Sequence, residues 1–169
     1  MVAFPNITGP VFHLDGGTMA SGLEASRKSS RLRIILPLHR SQDAQVQRMV
    51  NFLQPGTYIR PHQHPRDHAI ESIVLVQGSL SFFIFDDEGR VTSHLPLNES
   101  GQGALIDIEP RIWHSFIVTQ PDTVIFEVKR GPYDPETDKL FARWAPVEGG
   151  SGTGEYLRFL GRHVQRWPS

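Results

Sequence analysis

The sequence predicts an all-β domain folded as an antiparallel barrel or sandwich. Three observations carry that reading: eight short apolar runs of strand length, punctuation by 15 glycines and 13 prolines, and helix signals confined to the chain ends. The expected strands are residues 31–39 (RLRIILPLH), 46–53 (VQRMVNFL), 71–77 (ESIVLVQ), 79–86 (SLSFFIFD), 90–97 (RVTSHLPL), 103–109 (GALIDIE), 113–119 (WHSFIVT) and 122–130 (DTVIFEVKR). The links QGS (77–79), DDEG (86–89) and QPD (120–122) are short enough for tight turns. In 122–130, Val124, Phe126 and Val128 read as core, and the alternating Glu127 faces either solvent or a cavity.

Helices are expected in two places. PETDKLFARW (135–144) opens with proline in a first turn followed by acids, a short-helix start. EYLRFLGRHVQRW (155–167) sets Leu157, Leu160 and Val164 at helical spacing. The division that follows is an N-terminal arm over 1–30 with one short strand (PVFHL), a barrel over 31–148, and a linker with a C-terminal helix over 149–169. The stretch 131–139 is a lid or a corner of the barrel. The terminal helix packs on the barrel or on a partner subunit.

Composition narrows function. At 169 residues the chain suits one domain with a sizeable core. A formal net charge of -1 gives no global basic field for nucleic acid or an anionic membrane, so neither partner is expected. No apolar run is long enough to span a bilayer, no signal-peptide pattern opens the chain, and a cytoplasmic location is expected. With no cysteine, any metal must be held by nitrogen and oxygen. Neither a nucleophile elbow nor a phosphate-binding glycine loop is present.

The stretch GTYIRPHQHPRDHAIESIVLVQG (56–78) concentrates His62, His64, His68 and Glu71. Strand residues two apart share a face, so His62 and His64 project together, between Pro61 and Pro65. Glu71 opens the next strand, expected to return antiparallel beside the first. His114 follows Trp113 at the head of another apolar strand, with Trp113 expected in the core and His114 inward. Three imidazoles and a carboxylate converging inside a barrel make a first-row metal site with room for water or substrate. Tyr58 and Arg60 share the inward parity of His62, and Arg48 on a neighbouring strand could fork onto an anion. These three are the candidate catalytic residues.

The order of these residues resembles the two motifs of the cupin superfamily. Gly56, His62, His64, Glu71 and Gly78 stand at the first motif's positions, and Gly103, Pro110 and His114 at the second's. The resemblance implies a cupin double-stranded β-helix, a jelly-roll barrel, with one divalent transition metal held by His62, His64, Glu71 and His114. That ligand set suits Fe(II), Mn, Ni, Co or Zn. Two departures stand out. Six residues separate His64 from Glu71, which makes His68 the alternative fourth ligand, and Arg111 takes the place where the second motif usually has glycine.

A narrower resemblance spans residues 31–148. LHRSQDAQVQRM, PGTYIRPHQHP, RIWHSF and KRGPYDPETDKLFARWAP are similar to the WbuC family of cupin metalloproteins, some of them associated with polysaccharide biosynthesis. That narrower resemblance implies a fold and a metal but names no reaction; the cupin resemblance implies a metalloenzyme of dioxygenase, isomerase or lyase type acting on a small polar substrate, and a homodimer. A metal-dependent module that binds a carbohydrate or organic acid without turnover is the second reading, and a metal that only staples the barrel is the third.

Overall fold

In the computed structural model, which describes residues 3–100 and 103–166, ten strands form two antiparallel five-stranded sheets. In chain order the elements are α1 (Gly16–Lys28), β1 (Arg33–Pro37), β2 (Val46–Leu53), β3 (His62–Gln63), β4 (Glu71–Gln77), β5 (Ser79–Phe85), β6 (Val91–Asn98), β7 (Leu105–Ile108), β8 (Trp113–Val118), β9 (Thr123–Arg130), β10 (Leu140–Phe141) and α2 (Thr153–Arg166). The first sheet runs β1-β2-β9-β4-β7 and the second β10-β3-β8-β5-β6. This is the expected jelly-roll barrel.

The sheets assign the turns differently from the simple hairpin reading. Only DDEG closes a hairpin within one sheet, β5 onto β6. QGS takes the chain from β4 in the first sheet to β5 in the second, and QPD takes it back from β8 to β9. Gly78 makes the first crossing with φ +85, and a Cβ there would stand 2.5 Å from Thr123 Oγ1. Both the left-handed backbone and the close approach require glycine.

Alternation along each strand builds three layers. In β5, Leu80 and Phe82 point between the sheets, where they meet Leu53, Ile73, Leu97, Ile106, Phe116 and Ile125. Phe83 and Phe85 point outward and are covered by Tyr156, Phe159 and Leu160 of α2. On the other convex face, Val50, Phe52 and Val124 meet Met19 and Leu23 of α1. Both outer faces are therefore apolar, so the strands lack a polar face that would mark which side is inside.

Two expected elements differ. Residues 135–144 form no helix. Asp134 closes a single turn, accepting from Glu136 N through Oδ1 (2.9 Å) and from Asp138 N through its carbonyl (2.8 Å). Leu140 and Phe141 then pair with Gln63 and His62, and that pairing pulls the chain into β10. The N-terminal segment carries a helix where the arm was expected, and PVFHL (10–14) has no strand. Asp15 caps α1 by accepting from Thr18 N at 2.8 Å, and Arg27 and Lys28 suit its last turn. In α2, Leu160 is fully buried as its spacing implied, and Val164 packs on the same cluster. Trp167, the end of the expected C-terminal helix, lies outside the described residues.

GGTMASGLEASRK has weak helix propensity, so packing holds α1. Gly22 is the closest point: a Cβ there would lie 2.3 Å from Phe52 Cζ, and Phe52 is fully buried. Gly22→Ala is expected to destabilise the fold by about 1–3 kcal/mol through overpacking, despite alanine's better helix propensity. Chemical denaturation would measure it, and a variant at least as stable as the parent would contradict this packing.

Candidate metal centre

The two sheets supply the cluster from opposite sides. His62 of β3 pairs directly with His114 of β8 in the second sheet. His64 follows on the same face, with Gln63 turned the other way. Glu71 comes from β4 in the first sheet, so it faces the histidines across the barrel and does not lie beside them in one sheet as expected. The six-residue gap after His64 is the crossing between sheets. His68 lies exposed in that crossing, and Glu71 is the fourth member of the cluster.

One ligand atom from each of His62, His64, Glu71 and His114 lies within 4.8 Å of the others, and all four side chains are buried. The histidine rings stand 4.4 to 5.7 Å apart, centroid to centroid. Glu71 Oε2 is 3.2 Å from His114 Nε2 and 3.5 Å from His64 Nε2.

Each ring is oriented by the backbone. The Nδ1 of His62 lies 2.9 Å from the Arg60 carbonyl, that of His114 2.8 Å from the Ile112 carbonyl, and that of His64 2.6 Å from the Asp138 carbonyl. A carbonyl only accepts, so each Nδ1 carries a proton and each ring turns its Nε2 toward the cluster. Those three Nε2 atoms are buried without a hydrogen-bond partner. Three lone pairs and a carboxylate facing one another repel unless protons or a cation stand between them. The donor set therefore fits a divalent metal, with the carbonyl partners fixing the rings.

Electrostatics agree. Burial, with the nearby Lys139 ammonium and His114, holds His62 well below its usual value, so its ring stays neutral and able to donate. Burial pushes the Glu71 carboxyl up, but His114 and His64 outweigh it and hold Glu71 well below the usual carboxylate range.

His62, Glu71 and His114 of the cluster line one wall of a cavity of about 530 Å³. Its other walls include Met49, Asn51, Ile73, Phe116 and Ile125, and the polar Glu127, Lys129 and Lys139. Glu127 faces this cavity, which decides the alternative left open by its strand, and accepts from Asn51 Nδ2 at 3.0 Å. Burial and the neighbouring Glu71 push its carboxyl up to about 7. Sequence reasoning did not single out Asn51, Lys129 or Asp138 for the cavity, whereas Lys139 belongs to the stretch 131–139 expected as a lid carrying it to the mouth or as a corner.

The three candidate catalytic residues separate. Arg60 lines the cavity. Arg48 is exposed on β2, outside the residues lining the cavity. Tyr58 is buried, donates its hydroxyl to the Pro146 carbonyl at 2.8 Å, and is pushed up to about 12 by burial, a structural hydroxyl away from the cavity lining. Trp113 packs in the layer under α2, and its indole donates to Asp87 at 2.9 Å. Arg111, at the motif's usual glycine, has φ +66 and donates its N–H to the His64 carbonyl at 2.9 Å, so the left-handed backbone is kept without glycine.

Glu127 sets a pH dependence. Its carboxyl holds a proton near 7 when folded against an ordinary value of 4.5, so the folded state binds the extra proton between those values. Its contribution to stability is full below about 4.5 and is lost as pH rises through about 7. Glu127→Gln is always neutral and is expected to remove that loss in chelator-treated protein. Urea midpoints from pH 5 to 8 would show it, and superimposable profiles for parent and variant would contradict it.

A family described as a domain of unknown function (DUF6016) matches residues 14–97. No curated protein matches the chain. Among solved structures, an oxalate oxidase in complex with the substrate analogue glycolate is 14% identical, with a TM-score of 0.50, over 67% of this chain and 56% of that one. An oxalate decarboxylase from Bacillus subtilis is 16% identical, with a TM-score of 0.50, over 80% of this chain and 34% of that one. KdgF from Halomonas sp. is 16% identical, with a TM-score of 0.46, over 62% of this chain and 82% of that one. The chain thus spans about half of the oxidase and a third of the decarboxylase. The likeness to the oxidase and the decarboxylase shows the fold, a jelly roll of the cupin type. Among the described residues, no helix is long and apolar enough to cross a membrane.

Proposed function

We propose that the protein is a cupin metalloenzyme that binds one divalent transition metal through His62, His64, His114 and Glu71 and acts on a small polar substrate in the adjoining cavity. The observation that carries this is the set of three buried Nε2 atoms, each fixed by a carbonyl on its own Nδ1, converging on one carboxylate. The WbuC-type resemblance, a link to sugar or polysaccharide chemistry, cytoplasmic location and a homodimer belong to this reading.

A metal bound there would act as a Lewis acid on a substrate oxygen and, if redox-active, would open one-electron chemistry. The chain's own groups do the rest. Ile73, Phe116 and Ile125 give the cavity apolar walls, which strengthen every charge interaction within it. Asn51 holds Glu127 Oε2, leaving Oε1 as the position that takes or releases a proton near neutral pH. That carboxyl favours an enzyme over a passive binding module, since it adds an acid/base group beside the metal ligands.

Turnover is the test. Metal-loaded protein would be incubated with sugars, nucleotide-sugars, keto acids and hydroxy acids, and products followed by mass spectrometry. The expected result is turnover of one class, reduced about 100-fold or more in a Glu127→Gln variant that keeps its metal. Full metal loading with no product from any class would contradict the enzyme reading.

A further inference from the structure

Five cations line the cavity: Arg31, Arg33, Arg60, Lys129 and Lys139. Three already have a carboxylate partner, two of them sharing one. Arg31 and Arg33 both reach Glu148, at 2.8 and 2.7 Å, and Lys129 reaches Asp138 at 2.6 Å. Arg60 and Lys139 have no carboxylate within ion-pair distance among the described residues.

Both line the cavity beside the β3/β10 pair, Arg60 just before β3 and Lys139 just before β10. Arg60 stands two residues before His62, with its guanidinium 5.5 Å from the ring centre of Phe141, the residue paired with His62 across β3 and β10. Its Nη2 donates to the Ala142 carbonyl at 2.6 Å, which ties the guanidinium to the strap that follows β10. Its Nε is buried with no partner. Lys139 immediately precedes β10, and its field reaches both His62 and Glu127. A buried donor without a partner is costly, and so is an uncompensated cation in a partly enclosed cavity.

We propose that Arg60 and Lys139 form an anion clamp and that the ligand of this cavity is a small organic carboxylate. This rests on the reading of the cavity as a substrate site, although the clamp itself requires no metal. With Nη2 engaged by Ala142, Arg60 has no two-pronged fork on that side to offer. One donor from Arg60 and one from the Lys139 ammonium match the two oxygens of a carboxylate. A metal held by His62, His64, Glu71 and His114 would add positive charge to the cavity and strengthen the preference for an anion. At about 530 Å³ the cavity has room for several carbons beyond the carboxylate, against the apolar walls of Ile73 and Ile125.

The test is calorimetric titration with succinate, its neutral isostere succinamide and inorganic phosphate, on metal-loaded and chelator-treated protein, with metal content measured in every sample. Parent protein, Arg60→Gln and Lys139→Gln would be compared. Arg60 also holds the strap, whereas the Lys139 side chain has no hydrogen bond or ion pair among the described residues, so Lys139→Gln separates loss of the clamp from loss of structure. The expected result is succinate binding, at least tenfold weaker in each variant at unchanged metal content, with succinamide at least tenfold weaker in the parent. Succinamide binding as well as succinate, phosphate binding in place of succinate, succinate binding unchanged in both variants, or no succinate binding would each overturn the proposal. A parent that holds no metal yet binds succinate through both residues would sink the metal reading and leave the clamp standing. Full metal with no carboxylate selectivity would do the reverse.

Discussion

Metal-free protein supplied with a divalent transition metal at about 100 times its dissociation constant is expected to melt about 5–10 °C higher. Binding to the folded state alone contributes about 2.7 kcal/mol at that concentration, and a chain of this size gains about 2–4 °C per kcal/mol. The unfolded chain offers His62, His64, Glu71 and His114 only as separate weak ligands. The fold brings them within 4.8 Å and fixes three rings by backbone carbonyls. A proton on an Nε2 facing Glu71 competes with the metal, so the shift should shrink on acidification and binding should release protons. Thermal scans in buffers from pH 6 to 8 would measure both. A melting temperature indifferent to every metal tried would mean that the cluster is held together by protons alone.

Lys129→Met is expected to destabilise the protein by about 3–5 kcal/mol, because it leaves the Asp138 carboxylate buried without its partner. Lys129 Nζ and Asp138 Oδ2 are 2.6 Å apart, and both side chains are nearly inaccessible. Burial disfavours the Lys129 ammonium, but Glu127, Asp138 and Glu71 outweigh it and raise its affinity for the proton, so Lys129 keeps its charge. The same Asp138 presents its carbonyl to His64 Nδ1 at 2.6 Å. Losing the pair therefore frees the segment that orients His64, and metal affinity should fall about 10–100-fold. A double variant, Lys129→Met with Asp138→Leu, should regain most of the stability, since neither buried charge remains. It should not regain full metal affinity if the ion pair positions the carbonyl. A single variant as stable as the parent would show that the pair contributes little.

The donor cluster was readable because its spacing is local. His62 and His64 share strand parity, and His114 heads a clear apolar strand. Across-sheet relations were not readable. A three-residue link such as QGS looks the same whether it closes a hairpin or crosses between sheets, and only the left-handed Gly78 pressed against Thr123 shows which. Strands β3 and β10 have two residues each, too short for any periodicity to register. The α1 segment was read as part of an arm because its glycines suppress propensity, and the contact that rescues it, Gly22 on Phe52, is thirty residues away in sequence. The role of Glu127 stayed open for a related reason. Its outward neighbours Val124 and Phe126 are as apolar as a core because α1 covers them, so alternation alone could not say which face was the interior.

The central claim is the metal centre, and metal content tests it most directly. Elemental analysis would be run on protein purified under metal-replete conditions, beside a His62→Ala/His114→Ala double variant shown to be folded by circular dichroism. The account predicts about one equivalent of a divalent transition metal in the parent and almost none in the variant. Equal metal in both, or none in either, would contradict it and leave these histidines as the lining of a metal-free binding pocket.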